Sequence, residues 1–209
     1  MFWSFPRWFA PSVDGTILPD TPENTLVKGN FAKVEIENIS NIFFSKIFSQ
    51  VPFIVGQTKD EGAFFYRLTL NAFNNGQYDD NFVDNKLPRI LPVISDFNSK
   101  LYPLTRQVRK RYFTNVDMEN EEEFRPKYIE FLTDLMYTRC TDRFAKLLAN
   151  HSVPTYEYSF EYRGQYSIVN LQGEQVDMGV AHGDDLQYIF NGIWGEELQM
   201  SPSDTKFTR

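Results

Sequence analysis

The sequence predicts an α/β protein, and three observations predict it. Val51-Pro52-Phe53-Ile54-Val55-Gly56 is a short continuous apolar run, the pattern of a strand buried on both faces of a parallel sheet. Pro154 to Tyr162 alternates aromatic and polar residues, which is the period of a strand. Between them Ile129, Leu132, Met136, Cys140, Phe144 and Leu147 recur at three and four residues, one face of a long helix. Helix, strand, acidic loop, long helical excursion, strand and loop with a histidine is the order of a layered α/β sheet.

Taken in order, residues 11 to 31 are punctuated by Pro11, Gly15, Pro19, Pro22 and Gly29 and read as extended and turn-rich. Ile36, Ile39, Ile42, Phe43 and Ile47 then stand at near-helical spacing, predicting a helix over 36–48 that feeds the first strand. Gly62 marks a turn, and Ala63 to Leu68 opens another helix. Residues 71 to 85 are rich in Asn and Asp and read as loop; Leu87 to Leu104 is broken by prolines. The long helix spans Phe124 to Asn150, with Pro126 in its first turn, where proline is tolerated. Residues 163 to 178 read as loop. Asp184 or Asp185 caps a short helix through Leu186, Tyr188, Ile189 and Phe190. The tail after Gly195 shows few apolar residues and no clear ending. Two strands are too few to cover their own sheet edges, so the chain reads as incomplete.

Composition narrows the function. The 209 residues are 42% hydrophobic and 16% aromatic, with 20 Phe, which is globular and core-forming. A net charge of -7 argues against nucleic acid as a partner, because phosphate contacts need excess Lys and Arg. Arg106, Arg109, Lys110 and Arg111 form the densest basic cluster, and Glu119 to Glu123 dilute it; a solvated helix face is its plain reading. No apolar run is long enough to span a bilayer, and the opening Met1 to Trp8 lacks the layout of a signal peptide. The single Cys140 leans towards a reducing compartment, whereas the sequons at Asn38 and Asn150 lean the other way.

Chemistry concentrates in two loops. Of the two histidines, His151 ends the long helix, where the helix dipole favours a cation. His182 lies between Gly179 and Gly183, beyond a strand, where small neighbours leave an imidazole room to project into a cleft. A general base needs that exposure, and a partner to fix its tautomer. Lys59-Asp60-Glu61-Gly62 comes just after the first strand, where α/β sheets carry functional loops. Spacing alone does not choose between Asp60 and Glu61, and either could instead cap the next helix. His182, Asp184 and Asp185 lack a second histidine or cysteine nearby, so no metal is expected. Cys140, on the apolar helix face, reads as a buried inert thiol, and Phe64, Phe65, Tyr66 and the aromatics from Tyr156 to Tyr162 read as core. No G-x-S-x-G occurs.

Three segments together resemble the type-B carboxylesterase/cholinesterase family of α/β-hydrolases, with an insect carboxylesterase-like character. Phe9-Ala10-Pro11-Ser12-Val13-Asp14-Gly15 with Leu18-Pro19 is similar to the family's F-x-P-x-x-D-G-x-x-L-P stretch. Val51 to Gly56 followed by Asp60-Glu61-Gly62 resembles its acid-bearing strand and loop. Gly179 to Phe190 resembles its histidine segment, G-x-x-H-x-D-x-L-x-Y-x-F. The resemblance implies that residues 1–209 are the C-terminal part of one α/β-hydrolase domain, an incomplete, mostly parallel sheet flanked by helices and truncated at both ends. It places the triad acid on Glu61 and the triad base on His182. It implies a serine esterase acting on a small-molecule ester without metal or organic cofactor, secreted or in the secretory pathway. The chain itself lacks the nucleophile and the oxyanion loop and is expected to be inactive alone. The rival reading is a catalytically dead, esterase-like adhesion or interaction protein.

Overall fold

The computed structural model describes residues 13–16, 19–30, 52–88, 104–171, 176–190 and 200–207. The helix expected over 36–48, the Asn38 sequon and the Phe9–Pro11 part of the first motif lie outside them. The chain divides into two compact units, Met1–Val55 with Thr141–Tyr158, and Gly56–Cys140 with Ser159–Arg209. Among the described residues two strands, β1 (Phe53–Thr58) and β2 (Thr155–Phe160), pair in one two-stranded sheet. The Phe53 amide donates to the Pro154 carbonyl at 2.8 Å and the Lys59 amide to that of Phe160 at 2.9 Å. Both bonds span the same sequence separation, so the strands run parallel. The expectation that β1 is buried on both faces is corrected: Ile54 is exposed, and Phe53 stays partly in solvent although its ring meets Phe144 edge-on at 5.8 Å.

In the first unit α1 (Pro22–Lys28) replaces the irregular stretch expected there. Thr21 caps it by accepting from the Asn24 amide at 3.1 Å, Pro22 opens it, and Gly29 ends it. The prolines and glycines that read as breakers are therefore its start and stop. Arg143 pairs with Glu23 across to the second segment of this unit.

The second unit holds the core. Helix α2 (Ala63–Asn74) begins where expected but runs on, and α3 (Phe82–Lys86, with π-type hydrogen bonds) comes after it, so residues 71–85 are not one loop. Their Asn and Asp work at helix ends: Asn75 closes α2, and Asp79 accepts from the Phe82 amide at 2.6 Å. Helix α4 (Thr105–Tyr112) carries the basic cluster, and Arg109 bonds both Asp80 and Asp84. Helix α5 (Glu121–Thr133) starts earlier than predicted, capped by Asn120, which leaves Pro126 inside the helix rather than in its first turn.

Three phenylalanines and two tyrosines form a stack along α5. Phe124 lies parallel to Tyr78, Phe113 and Tyr128, and Tyr128 to Phe131, with centroids 5.3–6.1 Å apart. Each such pair adds about 0.5–1.5 kcal/mol beyond simple burial. Tyr66, Leu70, Phe82, Tyr128 and Leu132 are fully enclosed, and the Tyr128 hydroxyl donates to Thr69 at 2.9 Å.

The long helix is interrupted. Between α5 and α6 (Arg139–Asn150) lies a π-helical segment, Asp134–Thr138. Its wider turn breaks the three-and-four spacing on which the predicted face rests. Beyond it Ala145 and Leu148 are buried, and Cys140, expected to be a buried thiol, is exposed. After β2 come α7 (Ile168–Leu171), inside the supposed loop, α8 (Leu186–Ile189) and α9 (Pro202–Phe207), a helix within the tail where the sequence shows few apolar residues. Phe207 stacks on Tyr162 at 4.2 Å, whereas Tyr156 and Tyr158, expected in the core, are exposed.

Candidate active site

The site forms where β1 ends. Beyond Thr58 the chain turns through Lys59–Gly62 and enters α2, with Ala63 donating to the Asp60 carbonyl at 2.9 Å. Gly62 is packed against α5: a Cβ there would sit 2.5 Å from the Ile129 carbonyl and 2.6 Å from Leu132 Cβ. Its amide donates to Thr133 Oγ1 at 2.9 Å. Only a glycine lets the turn approach α5 this closely, and that approach points Glu61 inwards.

Glu61 is 4% exposed. Its Oε1 accepts from the Thr58 amide at 2.8 Å, and its Oε2 meets His182 Nδ1 at 2.6 Å. The His182 side chain is 47% exposed, set between Tyr137, 5.1 Å away between ring centroids, and the edge of Phe64, 5.9 Å away. The hydrogen bond to Glu61 and its charge raise the imidazole pKa above its ordinary value, against the opposing effect of burial. Burial, and secondarily the Glu61 charge, push Tyr137 up to about 12. With Nδ1 held by a carboxylate, the ring is arranged to take a proton at Nε2 and to be stabilised as imidazolium. Among the described residues no side chain hydrogen-bonds Nε2.

The other residues singled out by the sequence separate cleanly. Asp60 does not touch His182; its Oδ2 accepts from the Val180 amide at 2.9 Å. Neither Asp184 nor Asp185 caps α8 with its side chain. Asp184 accepts from the Ile168 and Ala181 amides at 2.9 and 2.8 Å, and burial pushes its carboxyl up. His151 comes just after α6 and places Nε2 2.8 Å from the Leu26 carbonyl, within the first unit. Among the described residues no three His, Cys, Asp or Glu gather as a metal would require, and no helix is long and apolar enough to cross a membrane. Sequence reasoning missed Tyr137, because it sits in the π-helical segment, which leaves no mark in α-helical periodicity. It also assigned Phe64 to the core alone, whereas Phe64 rests against both the core and His182.

The sequence profile of the carboxylesterase family matches residues 4–209. The chain is 24% identical over 201 residues to acetylcholinesterase of Bungarus fasciatus, covering 96% of this chain and 29% of that protein. It is 24% identical over 188 residues to neuroligin-2 of Homo sapiens, covering 87% of this chain and 19% of that protein. The crystal structure of juvenile hormone esterase from Manduca sexta, with OTFP covalently attached, superposes with a TM-score of 0.53 at 22% identity. That match covers 77% of this chain and 30% of the esterase, and its α/β-hydrolase fold is the fold class seen here. The chain thus spans under a third of the length of the relatives it matches.

Proposed function

This chain belongs to the carboxylesterase family, and from that premise we propose that Glu61 and His182 are the acid and base of a serine carboxylic-ester hydrolase. The nucleophile serine and the oxyanion donors lie outside these 209 residues, which form the C-terminal part of one α/β-hydrolase domain. The observation that carries the reading is the 2.6 Å bond between Glu61 Oε2 and His182 Nδ1, made from a buried carboxylate to a half-exposed ring.

Nε2 of His182 accepts the serine proton as the serine oxygen bonds to the ester carbonyl carbon. The same proton then passes to the departing alkoxide as its C–O bond breaks, leaving an acyl-enzyme. Water repeats the sequence, losing a proton to Nε2 and releasing the acid. Glu61 holds the Nδ1–H tautomer and offsets the imidazolium charge in both halves. The substrate is a small carboxylic ester, no cofactor is required, and the whole protein enters the secretory route. Alone, the 209 residues lack nucleophile and oxyanion donors, usually the largest catalytic contribution, and are inactive.

Similarity to neuroligin-2, at the same 24% identity as to acetylcholinesterase, favours a second reading as an esterase-like adhesion or interaction protein. An intact Glu61–His182 pair has no evident use in such a protein. Sequencing the transcript upstream of the Met1 codon separates the two. A frame running back to a G-x-S-x-G serine is expected. In that longer protein His182→Ala should lower kcat for a p-nitrophenyl ester by roughly 10³-fold or more. A stop codon, a replaced serine, or full turnover in H182A would sink the esterase reading.

A further inference from the structure

Asp60 lies one residue before the proposed acid and takes no part in the proton transfers. Its surroundings give it another task. The Asp60 amide donates to the Val180 carbonyl at 2.9 Å, and the Val180 amide donates to Asp60 Oδ2 at 2.9 Å. Both main-chain polar groups of Val180, two residues before His182, are thus committed to this one residue. The amides on either side go to other carboxylates: Gly179 donates to Asp177 Oδ1 at 3.0 Å and Ala181 to Asp184 Oδ2 at 2.8 Å. Asp177 and Asp184 belong to the histidine's own stretch of chain, two and three residues from their donors. Asp60 is 120 residues away in sequence, and it ties the acid loop to the histidine loop.

The fit is also steric. Gly179 has φ of +84°, and a Cβ on it would lie 2.2 Å from Asp60 Oδ2 and 2.5 Å from its Cγ. The histidine loop therefore presents a bare backbone to the Asp60 carboxylate, which is partly buried against it, and burial raises its pKa. A half-buried carboxylate bonded to a main-chain amide costs desolvation that a solvated residue would avoid, and the gain is a defined spacing between the two loops.

We propose that Asp60 is a positioning residue: by clamping Val180 it sets the height of His182 so that Nδ1, and not Nε2, meets Glu61. This rests on reading Glu61 and His182 as the acid–base pair. A ring shifted by about an ångström loses a bond as short as theirs, and with it the preference for the Nδ1–H tautomer.

The test uses the longer protein that carries the serine, in which the imidazole nitrogens of His182 are identified by 15N NMR as the signals lost in His182→Ala. Above its pKa, His182 should show the Nδ1–H tautomer as its major form. In Asp60→Ala that form should become the minor one and the raised pKa should fall back. Asp60→Asn, which keeps an acceptor for the Val180 amide, should restore the parent pattern. Gly179→Ala, which crowds the clamp without changing its charge, should reproduce the Asp60→Ala pattern, and it serves if Asp60→Ala does not fold. Unchanged near-UV circular dichroism, dominated by the aromatic stack of the second unit, reports an intact fold there. Parent-like His182 nitrogens in a folded Asp60→Ala or Gly179→Ala would overturn the proposal. Glu61→Gln separates the two levels: if it too leaves His182 unmoved, the Glu61–His182 reading itself fails, whereas if it alone disturbs His182, only the clamp fails.

Discussion

At the scale of single residues, the chain turns on how one imidazole is held. His182 has a raised pKa in the fold, chiefly because of its hydrogen bond to Glu61. A raised histidine pKa means that folding stabilises the protonated ring. That contribution is fully present below the ordinary value of 6.5 and is lost as pH rises through the raised folded value. Glu61→Gln keeps an acceptor but removes the charge. The stability gap between parent and E61Q, read by urea unfolding, should therefore be widest near pH 6 and narrow as pH is raised past the His182 titration. A gap that widened with pH would contradict this assignment. The choice between Asp60 and Glu61 was closed to spacing alone, since the two are adjacent and chemically alike. Packing separates them: Glu61 is turned inward beside Gly62, and Asp60 faces the backbone of Val180.

At the scale of elements, the acid loop is only as well placed as its contact with α5. Gly62 has an ordinary helical φ, -63°, so its need for glycine is one of space and not of conformation. Gly62→Ala should cost about 1–3 kcal/mol by overpacking against Ile129 and Leu132. The same substitution should weaken the Glu61–His182 bond, seen as a lower His182 pKa. Urea unfolding with NMR titration checks both; a neutral effect would mean that α5 and the turn can slide apart at little cost. The strongest sequence pattern, the long helix, was legible in its extent but not in the direction of its faces. The π-helical segment Asp134–Thr138 shifts the helical register, exposing Cys140 and turning Tyr137 towards His182.

At the scale of the whole molecule, the two strands of the described residues leave apolar surface in water. Ile54 on β1 is 72% exposed and Tyr156 on β2 is 64% exposed. Paired strands with uncovered apolar side chains associate. The purified chain should sediment as a concentration-dependent mixture, and Ile54→Lys should shift it towards monomer. A sharp monomer at every concentration would show that this surface is not sticky and would favour a self-sufficient short form.

What the sequence determined by itself was local: a strand ending in an acid, an aromatic strand, a helix of unusual length, and a histidine among glycines, in an order that already resembled one family. These rest on periodicity and turn chemistry, which operate over a few residues and so survive in a single chain read alone. What only the tertiary structure decided was pairing: which carboxylate reaches His182, which one clamps its loop, and which aromatics face the ring rather than the core. Those outcomes depend on segments up to 121 residues apart meeting at hydrogen-bond distance. No local pattern encodes such a meeting; the packing of Gly62 on α5 and of Gly179 on Asp60 does.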